Sequence, residues 1–85
     1  MNANSLTLYK SDYCPFCVKV LRFLDANNIE LPMKDTIMDP AVRQELIELG
    51  GKGQVPALKI GDEIMYESND IINWVRANLL VKTTA

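Results

Sequence analysis

The feature that most restricts how this chain can fold is a stretch of helical periodicity set between two strand-like segments. Ser5 to Tyr9 (SLTLY) alternates apolar and polar residues and is β-prone, so it reads as a short strand. From Pro15 the pattern changes, and Phe16, Val20, Leu21 and Leu24 recur at helical spacing. Pro15 suits the first helical position, where its missing N–H costs nothing. Asn27-Asn28 closes the helix, because asparagine tolerates the left-handed conformation at a helix C-terminus. Ile29 to Lys34 (IELPMK) then reads as a second strand, which Pro32 confines to a sheet edge. A helix between two consecutive strands implies a right-handed parallel crossover.

Asp39-Pro40 marks the next helix start, with Asp39 capping and Pro40 first inside. Val42, Leu46 and Leu49 define one face of a helix that ends at Gly50-Gly51. After Lys52-Gly53-Gln54 come two short strands, Ala57 to Ile60 and Glu63 to Tyr66. They are joined by Gly61-Asp62, where glycine in first place favours a type II′ turn. A final helix begins at Ser68 as N-cap, carries Asp70 in its first turn, and shows Ile71, Ile72, Val75 and Leu79 on one side. The tail Val81 to Ala85 is expected to fray. Trp74 is expected to pack the last helix, and the four methionines to act as filler. The order β-α-β-α-β-β-α places the chain in the α/β class, with a mixed four-stranded sheet and three helices.

At 85 residues the chain, 1–85, is a single domain with no room for a second core. With 48% hydrophobic and 24% charged residues it has the balance of an ordinary globular protein. Nine Lys+Arg against eleven Asp+Glu give a net charge of −2, which argues against nucleic acid as a partner. No run approaches the ~18 apolar residues of a membrane helix, and MNANSLTLYK lacks a basic start followed by an apolar stretch. The expectation is a cytoplasmic monomer with no membrane partner.

The chain has no histidine, which excludes Ser-His-Asp and Cys-His mechanisms, and only two cysteines, Cys14 and Cys17. Loops at the C-terminal ends of parallel strands are the usual ligand site of such sheets, and Cys14-Pro15-Phe16-Cys17 follows the first strand. Cys14 occupies or borders the N-cap of the first helix, where unsatisfied N–H groups and the helix dipole favour a thiolate over a thiol. Only the thiolate attacks disulfides. Cys17 falls one turn further in, close enough to form a small ring with Cys14. This is an arrangement for reversible thiol–disulfide exchange, with Cys14 attacking and Cys17 resolving. Two other readings stay open at this point. One is a metal site, which would need four ligands and hence two chains; the other is a pair of inert buried thiols. The CxxC spacing after a strand in a βαβ pattern favours redox chemistry over both.

Three segments in register, Tyr9 through Cys17 (YKSDYCPFC), Gln54-Val55-Pro56 and Tyr66-Glu67-Ser68, resemble the glutaredoxin family. The last of these, with Pro56-Ala57-Leu58, also resembles the N-terminal domain of glutathione transferases. The resemblance covers residues 5 to 79. It implies a thioredoxin-like fold and a cis Pro56 facing the cysteine motif, where the sequence alone favours the commoner trans form. It further implies that Val55 offers its backbone N–H and C=O to the cysteinyl part of glutathione. Gln54 stands where the family usually has threonine. From the residues alone Glu67 reads as a solvated charge and Ser68 as a plain N-cap; the resemblance makes them the holders of the γ-glutamyl ammonium and carboxylate. Lys10, Arg43 and Lys52 are candidates for the glycyl carboxylate, Lys10 foremost, and Tyr13 is expected to flank the tripeptide.

The activity the resemblance implies is that of a glutathione-dependent thiol–disulfide oxidoreductase acting in cell redox homeostasis. Such an enzyme reduces protein–glutathione mixed disulfides and protein disulfides through a redox-active CPFC pair. Its partners are glutathione, as reductant and co-substrate, and glutathionylated or disulfide-containing proteins; no tightly bound cofactor or metal is needed. One alternative is a transferase-like glutathione-binding domain. Another is an iron–sulfur cluster carrier, although such carriers typically show CGFS where Pro15 and Cys17 interrupt that motif here.

Overall fold

A computed structural model describes residues 6–80. Its elements are β1 (Leu6–Lys10), α1 (Pro15–Ala26), β2 (Met33–Asp35), α2 (Pro40–Gly50), β3 (Ala57–Ile60), β4 (Glu63–Met65) and α3 (Ser68–Val75). The last helix runs on into a π-helical turn, Arg76–Leu80. Ser5, where the first strand is expected to begin, and the tail Val81 to Ala85 lie outside the described residues. The sheet has the order β2-β1-β3-β4. Strands β1 and β2 run parallel, with Leu8 opposite Met33, while β1–β3 and β3–β4 are antiparallel, with Leu58 opposite both Leu8 and Met65. The expected mixed four-stranded sheet and its parallel crossover are both present.

Alternation along the strands splits the interior into two layers. Leu6 and Leu8 of β1 and Leu58 of β3 pack with Val20 and Leu24 of α1 and Ile71 and Val75 of α3. Trp74 is half-buried against the same cluster. On the other face of the sheet Tyr9 and Ala57 meet Leu46 of α2, with Val42, Ile64 and Tyr66 around them. Leu49, expected on the buried face of α2, is instead 46% exposed. Tyr66 takes the space beside the last turn of that helix, lying against Gly50. Met33 and Met38 are likewise exposed rather than filling gaps, whereas Met65 packs against the core as expected and Met1 lies outside the described residues.

The helix ends follow local chemistry. Asp39 Oδ1 accepts from the Ala41 N–H at 3.0 Å with Pro40 next in line, and Gly51, at φ +94°, closes α2 with its N–H on Ile47 O at 2.7 Å. Helix α1 ends with Asn28 at φ +56° and the Ile29 N–H returned to Leu24 O at 2.9 Å. Gly61, at φ +59°, supplies the positive φ that a type II′ turn requires at its first central position.

Strand β1 runs one residue further, to Lys10, and β4 stops one residue earlier, at Met65; β2 and α3 depart further from the sequence reading. The second strand starts at Met33 rather than Ile29, because Pro32 has no N–H and gives the ladder only its carbonyl, which accepts from the Leu8 N–H at 2.9 Å. Ile29 and Leu31 turn into the core instead. In α3 the N-cap is Glu67, whose carbonyl accepts the first helical bond from the Ile71 N–H at 3.0 Å; Ser68 is the first residue inside the helix and is buried. Among the described residues no helix is long and apolar enough to cross a membrane.

Candidate active site

The loop Ser11 to Tyr13 carries the chain from the C-terminal end of β1 into α1, and Cys14 is the N-cap of that helix, with φ −102° and ψ 122°. Its carbonyl accepts from the Val18 N–H at 2.9 Å, the first bond of the helix, while the Cys14 side chain makes no capping hydrogen bond to the first turn. Cys14 is half-buried, and its sulfur lies 3.7 Å from Val55 O, to which the thiol donates. The Val55-Pro56 peptide bond is cis, as the family resemblance implies.

Cys17, one turn on, is fully buried, and its sulfur accepts from the Ser11 N–H at 3.4 Å. Burial pushes this thiol up from 9.0 to about 11, with Cys14 adding to the rise and the Ser11 N–H and Lys10 opposing it. Both cysteines are unbridged and differ in burial: Cys14 is half-buried at the helix N-terminus, while Cys17 lies wholly in the interior, where burial pushes its thiol up. Phe16, expected on the buried side of α1, is 63% exposed, because Cys17, Val20 and Leu24 occupy that side.

Next to Cys14 opens a cleft of about 360 Å³. Gln54, Val55 and Pro56 form one wall, Glu67, Ser68 and Asn69 at the start of α3 form the other, and Phe16 completes it. Five of the residues singled out from sequence therefore meet in one place. Glu67 adopts φ +70° and ψ 115°, outside the left-handed helical well, a strained conformation for a residue with a side chain. Phe16 and Asn69 were missed as lining residues. Phe16 was readable in principle, since a cysteine directed inward at position 17 turns its neighbour outward. Asn69 carries no sequence signal beyond adjacency to Ser68; it accepts from Lys19 Nζ and so ties α3 to α1 at the edge of the cleft.

Lys10, Tyr13, Arg43, Lys52 and both cysteines lie outside the lining of the cleft, which Cys14 meets through its contact with Val55 O. Lys10 Nζ bonds Asp12 Oδ1 at 2.8 Å and Asp35 Oδ2 at 3.3 Å, and the Asp12 contact holds its pKa above the ordinary lysine value. Tyr13 is 81% exposed. Arg43 lies against Gly53, and Lys52 Nζ sits 4.7 Å above the Tyr66 ring. Among the described residues no group of three or more Cys, Asp or Glu side chains could hold a metal ion.

Comparison with known proteins agrees with this geometry. The prostaglandin E synthase 2 of Danio rerio is 36% identical over 67 residues, which is 79% of this chain and 17% of that protein. Glutathione transferase Omega 3C from Trametes versicolor superposes with a TM-score of 0.75 at 25% identity, over 88% of this chain and 34% of the transferase. The chain thus spans well under half the length of these two relatives. Buckwheat glutaredoxin, solved as a glutathione complex, superposes with a TM-score of 0.69 at 20% identity, over 92% of this chain and 74% of its own. The architecture is the thioredoxin-like fold. A glutaredoxin family model matches residues 6–65, a span that includes both cysteines and the cis Val55-Pro56 bond, and this chain belongs to the glutaredoxin family.

Proposed function

We propose that the protein is a glutathione-dependent thiol–disulfide oxidoreductase with Cys14 as its nucleophile. The observation that carries this reading is the unlike setting of the two thiols, one accessible beside the cleft and the other buried one helical turn away. The Cys14 thiolate attacks the glutathione sulfur of a protein–glutathione mixed disulfide. The S–S bond breaks, the protein sulfur leaves with the electron pair and takes a proton, and a Cys14–glutathione disulfide remains. A second glutathione thiolate attacks the glutathione sulfur of that adduct, releasing oxidised glutathione and the Cys14 thiolate. In the dithiol route Cys17 attacks Cys14 Sγ instead, gives up its proton, and expels glutathione as a Cys14–Cys17 disulfide forms. Reduction of protein disulfides uses both cysteines.

The cleft suits the tripeptide. Val55 presents backbone groups to the cysteinyl part, as an added strand would use them. Ser68 and the first N–H groups of α3 face the γ-glutamyl carboxylate, and Glu67 pairs with the ammonium beside it. For the glycyl carboxylate, Lys10 already serves two carboxylates, whereas Arg43 and Lys52 form none of the ion pairs found among the described residues. The glutathione complex of the buckwheat protein supports the same ligand here.

The test is a deglutathionylation assay driven by glutathione, glutathione reductase and NADPH. Cys14→Ser is expected to abolish turnover, while Cys17→Ser retains the route resolved by a second glutathione. Equal loss in both variants would overturn the assignment of roles. The Glu67-Ser68 pair and the superposition on a transferase favour a second reading, a glutathione-binding domain that does not turn over. Saturable glutathione binding without NADPH consumption would select it.

A further inference from the structure

We propose that Tyr13, Ile37 and Met38 form a docking surface for the protein half of the mixed disulfide. The partner segment it fits carries apolar residues next to its cysteine and a lysine or arginine close by. The inference rests on the oxidoreductase reading and extends it to the second half of the substrate. Among the described residues six large apolar side chains are exposed, namely Tyr13, Phe16, Met33, Ile37, Met38 and Leu49. Three of the six, Tyr13, Ile37 and Met38, lie in the loops that follow the C-terminal ends of the parallel strands β1 and β2, the end of the sheet that also carries Cys14. Met38 is 76% and Ile37 57% exposed. Apolar groups left in water at one end of a small domain mark an interaction site more often than groups scattered singly do.

The two loops that carry these side chains are held as one frame. The Thr36 N–H donates to Lys10 O at 3.0 Å across the strand ends. Lys10 Nζ then bonds Asp12 in one loop and Asp35 at the base of the other, and Asp35 Oδ1 accepts from the N–H groups of Ile37 at 2.8 Å and Met38 at 3.0 Å. A surface fixed in this way loses little conformational freedom when a partner settles on it.

This surface is separate from the glutathione cleft, whose walls come from the Val55-Pro56 loop and α3, with Phe16 between the two. Cys14 therefore has two neighbourhoods, and a mixed disulfide has two halves to place. The charge is complementary to a basic partner: Asp12 directly precedes Tyr13, Asp35 and Asp39 bracket Ile37 and Met38 along the chain, and the one Lys10 ammonium is shared between Asp12 and Asp35.

The experiment compares three substrates. One is the mixed disulfide of glutathione with 2-mercaptoethanol. The second is a short glutathionylated peptide with leucine and lysine flanking its cysteine, and the third is the same peptide with serine and glutamate in their places. The parent protein is expected to show a lower KM for the leucine–lysine peptide than for its polar counterpart. The double variant Ile37→Ser with Met38→Ser should raise that KM by about tenfold, the equivalent of one good apolar contact, and leave the small mixed disulfide unaffected. Equal KM values for the two peptides, or a double variant with unchanged KM, would overturn the proposal. Should the double variant fail to fold, Met38→Lys alone gives the same reading, because it adds a like charge against the basic peptide at an exposed position. A parent inactive on the small mixed disulfide would remove the oxidoreductase reading instead. Docking is then read by fluorescence anisotropy of the leucine–lysine peptide with serine at its cysteine: binding that the double variant weakens upholds the surface, and absence of binding refutes it.

Discussion

At the scale of single residues, the two cysteines differ in their access to solvent. Cys17 is fully buried and keeps its proton up to about 11, whereas in an unfolded chain it would lose it near 9.0. The native state therefore holds more protons than the unfolded state across that interval. The contribution of Cys17 to stability is complete below the unfolded value and is lost as pH rises through the folded one. A Cys17→Ala variant is expected to show a flatter fall in stability over that range, measured by urea unfolding below and above it; an unchanged slope would contradict the burial argument. The cysteine spacing made this asymmetry legible, since a strand followed by Pro15 sets Cys14 at the helix entrance and Cys17 one turn inside. The outward turn of Phe16 was not, because periodicity marks which residues share a helix face and leaves open where the buried face begins.

At the scale of elements, short-range chemistry set the helix ends and long-range pairing set the strands. Asp39-Pro40 and Asn27-Asn28 could be read directly because each satisfies backbone groups within its own few residues. Strand β2 could not, because its extent depends on which β1 groups it meets, and nor could the N-cap of α3, because Glu67 takes a positive φ that residues with a side chain seldom adopt. Asp39→Ala is expected to cost about 0.5–2 kcal/mol through the lost cap. Gly50→Ala would drive a methyl group into the Tyr66 ring, whose hydroxyl donates to Lys52 O at 2.8 Å, and is expected to cost about 1–3 kcal/mol by overpacking. Both are measured as shifts of the urea midpoint, and a Gly50→Ala variant as stable as the parent would show that Tyr66 moves aside freely.

At the scale of the whole molecule, β1 and β3 form the centre of the sheet, and the core depends on their side chains. Leu58 is fully buried and pairs with both Leu8 and Met65. Leu58→Ala is expected to cost about 2–5 kcal/mol, a large share of the roughly 5–15 kcal/mol that stabilises a domain. Met33→Ala, at an exposed edge position, should stay within about 0.5 kcal/mol. Comparable losses in the two would show that the sheet does not concentrate its stability in the central strands. The element order carried the α/β class and the parallel crossover, because connection rules leave few alternatives. The cleft was only half legible, since the convergence of the Val55-Pro56 loop with the start of α3 is a product of packing.

Glu67 bends through φ +70°, a conformation that costs a residue with a side chain about 1–3 kcal/mol and that glycine would adopt at ease. Endurance of the fold and possession of a carboxylate at the mouth of the cleft are thus opposed at one position. Selection for heat resistance alone would tend to erase that acid, and a hardier descendant would have traded away the negative charge.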